Sequence, residues 1–186
     1  MSVYRKSILP NRFKLIFNMK SVLICLISLF LFSAAQAQVD ISSIKINTQI
    51  SLYLSLDELR SSFVIDSITG IPDIMDMSEA DSLIYIGSTY FECYLASNSC
   101  ELSVFQFGSQ MKNIRIGSRT LDEDMSIKEV QSILPGECKE LSSIQIYGEE
   151  EEYEYCRIQL MAPSGKLIDQ SLLLFFLDKQ LKRIDF

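Results

Sequence analysis

The sequence predicts an α+β fold built from two similar units, each a helical segment followed by a three-stranded antiparallel meander, with the helices on one sheet face. Two observations lead to this prediction. Residues 171–186 overlie residues 101–116 at a shift of 70, with apolar and polar positions in register. At a shift of 71, residues 126–130 repeat the pattern of residues 55–59. A fixed period of this kind indicates that one supersecondary unit occurs twice.

The first repeat is assigned to residues 38–117. Alternating isoleucines predict a short lead-in strand at 40–47, and Ser55-x-x-Glu58 is the signature of a capping box, which begins a helix. Turn residues at 70–73 end the helical region. Runs rich in β-forming residues predict the three strands of the meander, which are 83–95, 101–107 and 110–116, with Gly108-Ser109 as a two-residue hairpin turn between the last two.

The second repeat is assigned to residues 118–186 and follows the same order. Ser126-x-x-Glu129 is again a capping box, and Pro135-Gly136 ends the helix that it begins. Three strands are then predicted, at 153–161, 167–177 and 180–186. Because apolar and polar residues alternate in the last strand of each repeat, one sheet face is expected to be buried and the other to be exposed to water.

Residues 1–37 have the composition of a secretory signal peptide. They hold five basic residues and no acidic one, and residues 21–32 are almost wholly apolar. Ala35-Gln36-Ala37 fits a signal-peptidase site, so cleavage is expected after Ala37, giving a periplasmic or secreted bacterial protein. An apolar stretch of about 12 residues is short for a membrane span, although an uncleaved anchor is the alternative. Translation from Met19 would also give a normal signal peptide.

Charge restricts the class of partner. Residues 38–186 keep 12 of the 17 basic residues and all 24 acidic ones, so the net charge of the exported part is 12 − 24 = −12. An acidic surface repels nucleic-acid phosphates and anionic lipid. We therefore expect no nucleic-acid partner and no stable membrane span in the mature protein.

Four cysteines follow the signal peptide, and an even count in an exported protein indicates two disulfides. Three pairings are possible from the sequence. The six residues between Cys93 and Cys100 can fold back as a hairpin, which favours that pair and leaves Cys138 with Cys156. A zinc site is the competing interpretation, but the chain has no histidine and no C-x-x-C pair, so no metal is expected.

The tandem arrangement of a helix and antiparallel strands resembles the β-lactamase-inhibitor-protein-like fold, which is shared with small outer-membrane assembly lipoproteins of the SmpA/OmlA type. The residues that carry the resemblance are 55–59 with Gly70-Ile71-Pro72, and 125–130 with Leu134-Pro135. It covers roughly residues 55–186. The resemblance implies a concave sheet that grips a partner protein, and it brings no catalytic residue with it.

Catalytic groups are not evident. Without histidine, the common activated nucleophiles lack their base, and a Ser164–Lys166 dyad competes with the simpler interpretation of a hairpin turn. Acidic runs occur at 122–124 and 149–152, and the second is expected to be a solvated loop. We predict no cofactor and no catalytic residue. The alternative function is a small secreted hydrolase that uses carboxylates.

The favoured function is a non-enzymatic binding or inhibitor module for a protein or a cell-envelope component. Tyrosines alternate with the cysteines in the predicted strands, so they stand on the open face if the cysteines face the core. Tyr and Arg dominate protein interfaces because they bury a large area and keep a polar tip. The predicted binding residues are Tyr90, Tyr94, Arg115, Tyr153, Tyr155, Arg157 and Arg183.

Overall fold

The computed structural model describes residues 38–72 and 78–186; the predicted signal peptide at 1–37 lies outside the described residues. In chain order the strands and α-helices are β1 (Val39–Asp40), β2 (Ile44–Ile46), β3 (Ile50–Ser51), β4 (Tyr53–Leu54), α1 (Leu56–Ser62), β5 (Ser67–Thr69), β6 (Ser82–Ile86), β7 (Thr89–Tyr94), β8 (Ser99–Gln106), β9 (Asn113–Ile116), β10 (Arg119–Asp122), α2 (Ile127–Ile133), β11 (Ser142–Gln145), β12 (Glu152–Met161), β13 (Leu167–Leu177) and β14 (Gln180–Asp185).

The strands form two sheets. The large sheet has ten strands in the order β1-β12-β13-β14-β8-β7-β6-β5, with β11 also paired to β12 and β4 to β8. The second sheet has the order β10-β9-β2-β3. Among the strand pairs of the described residues, β1 and β12 are parallel and the others are antiparallel.

Both predicted capping boxes are present and define the starts of the helices. The hydroxyl of Ser55 accepts a hydrogen bond from the Glu58 amide at 3.2 Å, and the Ser55 amide donates to the Glu58 carboxylate at 2.7 Å. Ser126 and Glu129 repeat this geometry at 3.3 and 2.8 Å. These contacts satisfy amide groups that a helix start leaves unpaired, which is why two helices of only seven residues form here.

The predicted fold class is wrong. The described part of the chain is mostly β, with two short α-helices and one large mixed sheet, and not two separate units of a helix and a three-stranded meander. The decisive difference concerns residues 101–116, which do not form a hairpin. Their first strand, β8, lies in the large sheet, whereas β9 lies in the second sheet between β2 and β10.

Competition for one sheet edge explains the difference. The edge of β8 that a hairpin partner would occupy is taken by β14, with Phe105 opposite Ile184. The chain after β8 is instead held beside β2 by Asn47, whose side-chain amide donates to the Gln110 carbonyl at 2.7 Å and accepts from the Lys112 amide at 2.8 Å. Gly108-Ser109, for which the sequence predicts a hairpin turn, therefore lies in a crossing between the two sheets.

One hydrophobic core joins the elements. The cluster of buried residues includes Leu59 of α1, Val130 of α2 and the inward residues of β7, β8, β12, β13 and β14, as well as isoleucines of β2 and β9. Burial of apolar side chains of this size contributes roughly 1.5–3 kcal/mol each. Because the inward residues of these strands belong to one cluster, the core lies on one side of the large sheet. We call the opposite surface of this sheet the open face.

The two predicted disulfides are confirmed, and their connectivity is Cys93–Cys100 and Cys138–Cys156. Cys93 and Cys100 lie directly opposite each other on β7 and β8, with Cα atoms 4.1 Å apart. Cys138 ties the segment after α2 to β12. All four cysteines are buried. Two disulfides indicate an oxidising, exported location.

Candidate functional site

Alternation along β7 places two predicted tyrosines on the open face. Thr89, Phe91 and Cys93 are buried, whereas the alternate residues Tyr90, Glu92 and Tyr94 are half-buried. The cross-strand disulfide lies on the buried side of β7, because Cys93 is one of the inward positions. Burial raises the pKa of both tyrosines. These two side chains are therefore available at the surface of the large sheet.

A row of side chains crosses the open face from β12 to β14. Tyr155 lies opposite Phe175 on β13, and Phe175 lies opposite Arg183 on β14. The rings of Tyr155 and Phe175 are stacked with centroids 5.8 Å apart, and the Arg183 Cζ atom is 5.8 Å from the centroid of the Phe175 ring. Stacking and cation–π contact both favour this arrangement.

Two carboxylates fix the position of Arg183. Asp185 accepts two hydrogen bonds from the guanidinium, at 2.7 Å from Nε and 2.9 Å from Nη2. Glu149 accepts a third, from Nη1 at 2.9 Å, and its other oxygen accepts from the Tyr153 hydroxyl at 2.6 Å. Charge-assisted and bidentate bonds of this kind are strong and directional. The acidic run at 149–152, expected to be a solvated loop, is thus attached to the sheet through its first residue.

The pKa values in this network follow from burial and from charge. Burial raises the pKa of Tyr153 to about 12, and its hydrogen bond to Glu149 adds to the shift. Burial also raises the pKa of Asp185, although Arg183 acts in the opposite direction. For Arg183 burial lowers the pKa, but Asp185 and Glu149 outweigh it and the net change is upward. The guanidinium is therefore a fixed cation.

An open groove of about 350 Å³ lies beside this row. Its apolar walls include Tyr155, Leu173 and Phe175, and Arg157 is the cation that lines it. Arg157 is exposed, and its Nε donates to the Ser171 hydroxyl at 2.8 Å. The remaining lining residues are Ile144, Asp169, Gln170, Ser171 and Phe186. The groove therefore combines aromatic walls with a guanidinium whose position is fixed by a hydrogen bond.

A second, smaller cavity of about 190 Å³ adjoins the groove, and it shares Gln170 and Phe186 with it. Tyr94 lines it together with Glu92 and Glu101, which lie opposite each other on β7 and β8. Each of these two carboxylates has a donor. Ser78 donates to Glu92 at 2.8 Å, and Gln170 donates to Glu101 at 2.6 Å.

The predicted site residues do not all come together. Tyr155 and Arg157 line the groove, Tyr94 lines the smaller cavity, and Arg183 and Tyr153 belong to the charged network. Tyr90 is on the open face and packs against Tyr85 on β6, with ring centroids 5.6 Å apart. Arg115 is separated from the rest, because it lies on β9 in the second sheet. The prediction that Arg115 stands beside the tyrosines is therefore wrong, and the cause is the crossing of the chain after β8.

Sequence reasoning missed three members of the site, which are Phe175, Glu149 and Asp185. Residues 172–177 of β13 are all apolar, and a run without alternation signals that both faces of a strand are covered. That signal could have shown that the second face of β13, which carries Phe175, is apolar as well. Asp185, two residues after Arg183, could also have been found, because residues i and i+2 of a strand share a face.

The acidic runs do not converge. Asp124 forms an ion pair with Lys182, and Glu149 is bound to Arg183. Among residues 38–72 and 78–186, no group of three or more histidine, cysteine or acidic side chains is placed to hold a metal ion. Nor does this part of the chain contain a helix that is long and apolar enough to cross a membrane.

Comparison with known proteins gave no match to a family model, to a curated protein or to a solved structure. The interpretation of the site therefore depends on its geometry.

Proposed function

We propose that this protein is an exported, non-enzymatic binding or inhibitor module that holds a protein or cell-envelope partner on the open face of its large sheet. The proposal includes cleavage after Ala37, which removes residues 1–37, and a location in the periplasm or outside the cell. The two disulfides and the acidic exported part of the chain suit such a location.

The groove beside Tyr155 and Arg157 is the observation that carries the proposal. Two of its aromatic side chains, Tyr155 and Phe175, are already stacked on each other, so little conformational entropy would be lost when a partner covers them. Its exposed guanidinium is held by Ser171 and can donate further hydrogen bonds to a partner. Aromatic and arginine side chains at the centre of a patch are the usual hot spots of protein interfaces.

The test is capture of a partner from envelope extracts by the tagged, oxidised protein. The double variant Tyr155→Ala/Arg157→Ala removes an aromatic wall and the cation of the groove. The matched control, Tyr147→Ala/Arg60→Ala, removes the same residue types from exposed positions outside the groove. Circular dichroism of each variant checks that the fold is retained.

We expect the groove variant to capture the partner at least tenfold less well, since hot-spot truncations cost about 2 kcal/mol or more, and the control to behave like the wild type. Equal capture by the two variants would exclude the groove as the binding site. If the wild-type protein retains nothing above an empty resin, the proposed function itself is wrong.

A further inference from the structure

The second sheet carries a row of polar side chains on its outer surface. Lys45 on β2 lies directly opposite Arg115 on β9, Ser51 flanks Lys45 on β3, and Thr120 flanks Arg115 on β10. Directly opposite residues share one face of a sheet. The neighbouring isoleucines of β2 and β9, which are Ile44, Ile46, Ile114 and Ile116, point the other way and are buried in the core. The two cations therefore lie side by side on the outer surface.

This pair of cations is unusual in an acidic protein. Like charges directly opposite each other on adjacent strands are destabilising, since their Cβ atoms are only about 5 Å apart. Among the described residues neither Lys45 nor Arg115 forms an ion pair. In addition, the Arg115 Nε atom is shielded from water and has no hydrogen-bond partner in the part of the chain that the structure describes. A buried donor without an acceptor is rare and calls for an explanation.

The acidic pair on the large sheet provides a comparison within the same molecule. Glu92 and Glu101 are also like charges opposite each other, but Ser78 and Gln170 supply each carboxylate with a donor. Within residues 38–72 and 78–186, the basic pair has no corresponding acceptor. An anion that approaches both side chains at once would supply that acceptor and also reduce the repulsion between the two cations.

We propose that Lys45 and Arg115 form a binding site for a phosphate or sulfate group, with the hydroxyls of Ser51 and Thr120 at its edges. A guanidinium presents parallel N–H donors that match two oxygens of such a group, and an ammonium adds a point charge. A bound oxyanion would relieve the repulsion between the two cations. This site is on a different sheet from the groove, so it does not depend on the proposed function.

The experiment titrates the oxidised, isotope-labelled protein with sodium phosphate or sodium sulfate, with sodium chloride adjusted to keep the ionic strength constant. We expect saturable shifts of the backbone amide resonances of Lys45, Arg115 and Thr120. Lys45→Gln should weaken binding at least tenfold. Lys128→Gln, which removes one exposed cation from α2, should leave binding unchanged. Arg115→Lys keeps the charge but loses the paired donors, so it should weaken binding and not abolish it.

Two other measurements complete the test. Glycerol phosphate in place of inorganic phosphate tells whether the site accepts an esterified group or only the free ion. Phosphate should raise the midpoint of thermal unfolding more for the wild type and for Lys128→Gln than for Lys45→Gln. The reason is that a ligand that binds the folded state stabilises that state. Absence of saturation, or an equal response of the two lysine variants in both measurements, would overturn the proposal.

Discussion

At the scale of single residues, Arg183 determines the geometry of the open face. Its side chain is only 15% exposed, and it is surrounded by Asp185, Glu149 and the ring of Phe175. A partly buried cation is tolerated here because each of the three guanidinium nitrogens donates a hydrogen bond to a carboxylate oxygen. Removal of the guanidinium would leave two carboxylates close together without their counter-charge.

We therefore predict that Arg183→Met destabilises the protein by roughly 3 kcal/mol, the lower end of what breaking a buried ion pair costs. Urea unfolding followed by circular dichroism at pH 7 measures this. The control is Lys182→Met, on the same strand, whose more exposed ion pair with Asp124 should contribute no more than about 1 kcal/mol.

Adding Asp185→Asn to Arg183→Met should recover part of the loss, because the stranded charge is then removed. If Arg183→Met costs no more than Lys182→Met, the network does not hold the site in place.

The residues of the site were predictable to different degrees. Alternation is a local property of one strand. It therefore places Tyr90 and Tyr94 on one face of β7 and Cys93 on the other, as the structure has them. The place of Arg115 depends on which sheet β9 joins, and that is a long-range choice. The acidic run at 149–152 predicts a solvated loop, because it has no pattern that reveals Arg183, 34 residues away in the chain, as the partner of Glu149.

At the scale of elements, the two capping boxes are the most reliable signal in the sequence. The serine and glutamate are three residues apart, so the contact does not depend on the rest of the fold. Hydrogen bonds from Ser55 lower the pKa of Glu58, and those from Ser126 lower the pKa of Glu129. Each glutamate therefore contributes stability above its unfolded-state pKa, and this contribution is lost as the pH falls through the lowered, folded-state pKa.

Accordingly, we predict that Ser55→Ala lowers the free energy of unfolding by about 1 kcal/mol at pH 7. The difference from the wild type should shrink as the pH falls below the unfolded-state pKa of Glu58, since protonation weakens the same contact. Urea unfolding over a pH series measures both effects. Ser61→Ala, on the same helix but away from its start, is the control and should change stability little. A pH-independent loss in Ser55→Ala would contradict the role assigned to Glu58.

The pairing of β13 with β14 was predictable from the sequence, whereas the pairing of β8 with β14 in place of β9 was not. Asp178 and Lys179 form a tight hairpin turn with φ angles of 51° and 66°, and the strands on either side pair as the sequence indicates. The aligned Gly108-Ser109 has the right residue types for a turn, yet β8 and β9 separate after it. Turn chemistry permits a hairpin, and the choice between β9 and β14 for the edge of β8 is made by tertiary packing.

At the scale of the whole molecule, the last strand in the sequence lies in the middle of the large sheet. β14 is hydrogen-bonded to β13 on one side and to β8 on the other, so it joins the strands that follow α1 to those that follow α2. Leu181 and Ile184 of β14 are fully buried in the core. In contrast, β1 is a two-residue strand, and among the described strands its one partner is β12.

The position of β14 predicts that removal of residues 178–186 abolishes cooperative folding, because the effect of a truncation depends on the burial and hydrogen bonding of the backbone that it removes. Two strands would lose their partner, and the core would open between the two halves of the sheet. Thermal unfolding followed by circular dichroism should show no sharp transition for the shortened protein. As a control, deletion of residues 38–40 removes β1 and should lower the midpoint of thermal unfolding by only a few degrees. A cooperative transition near the wild-type midpoint in the 178–186 deletion would mean that β13 and β8 are held together without β14.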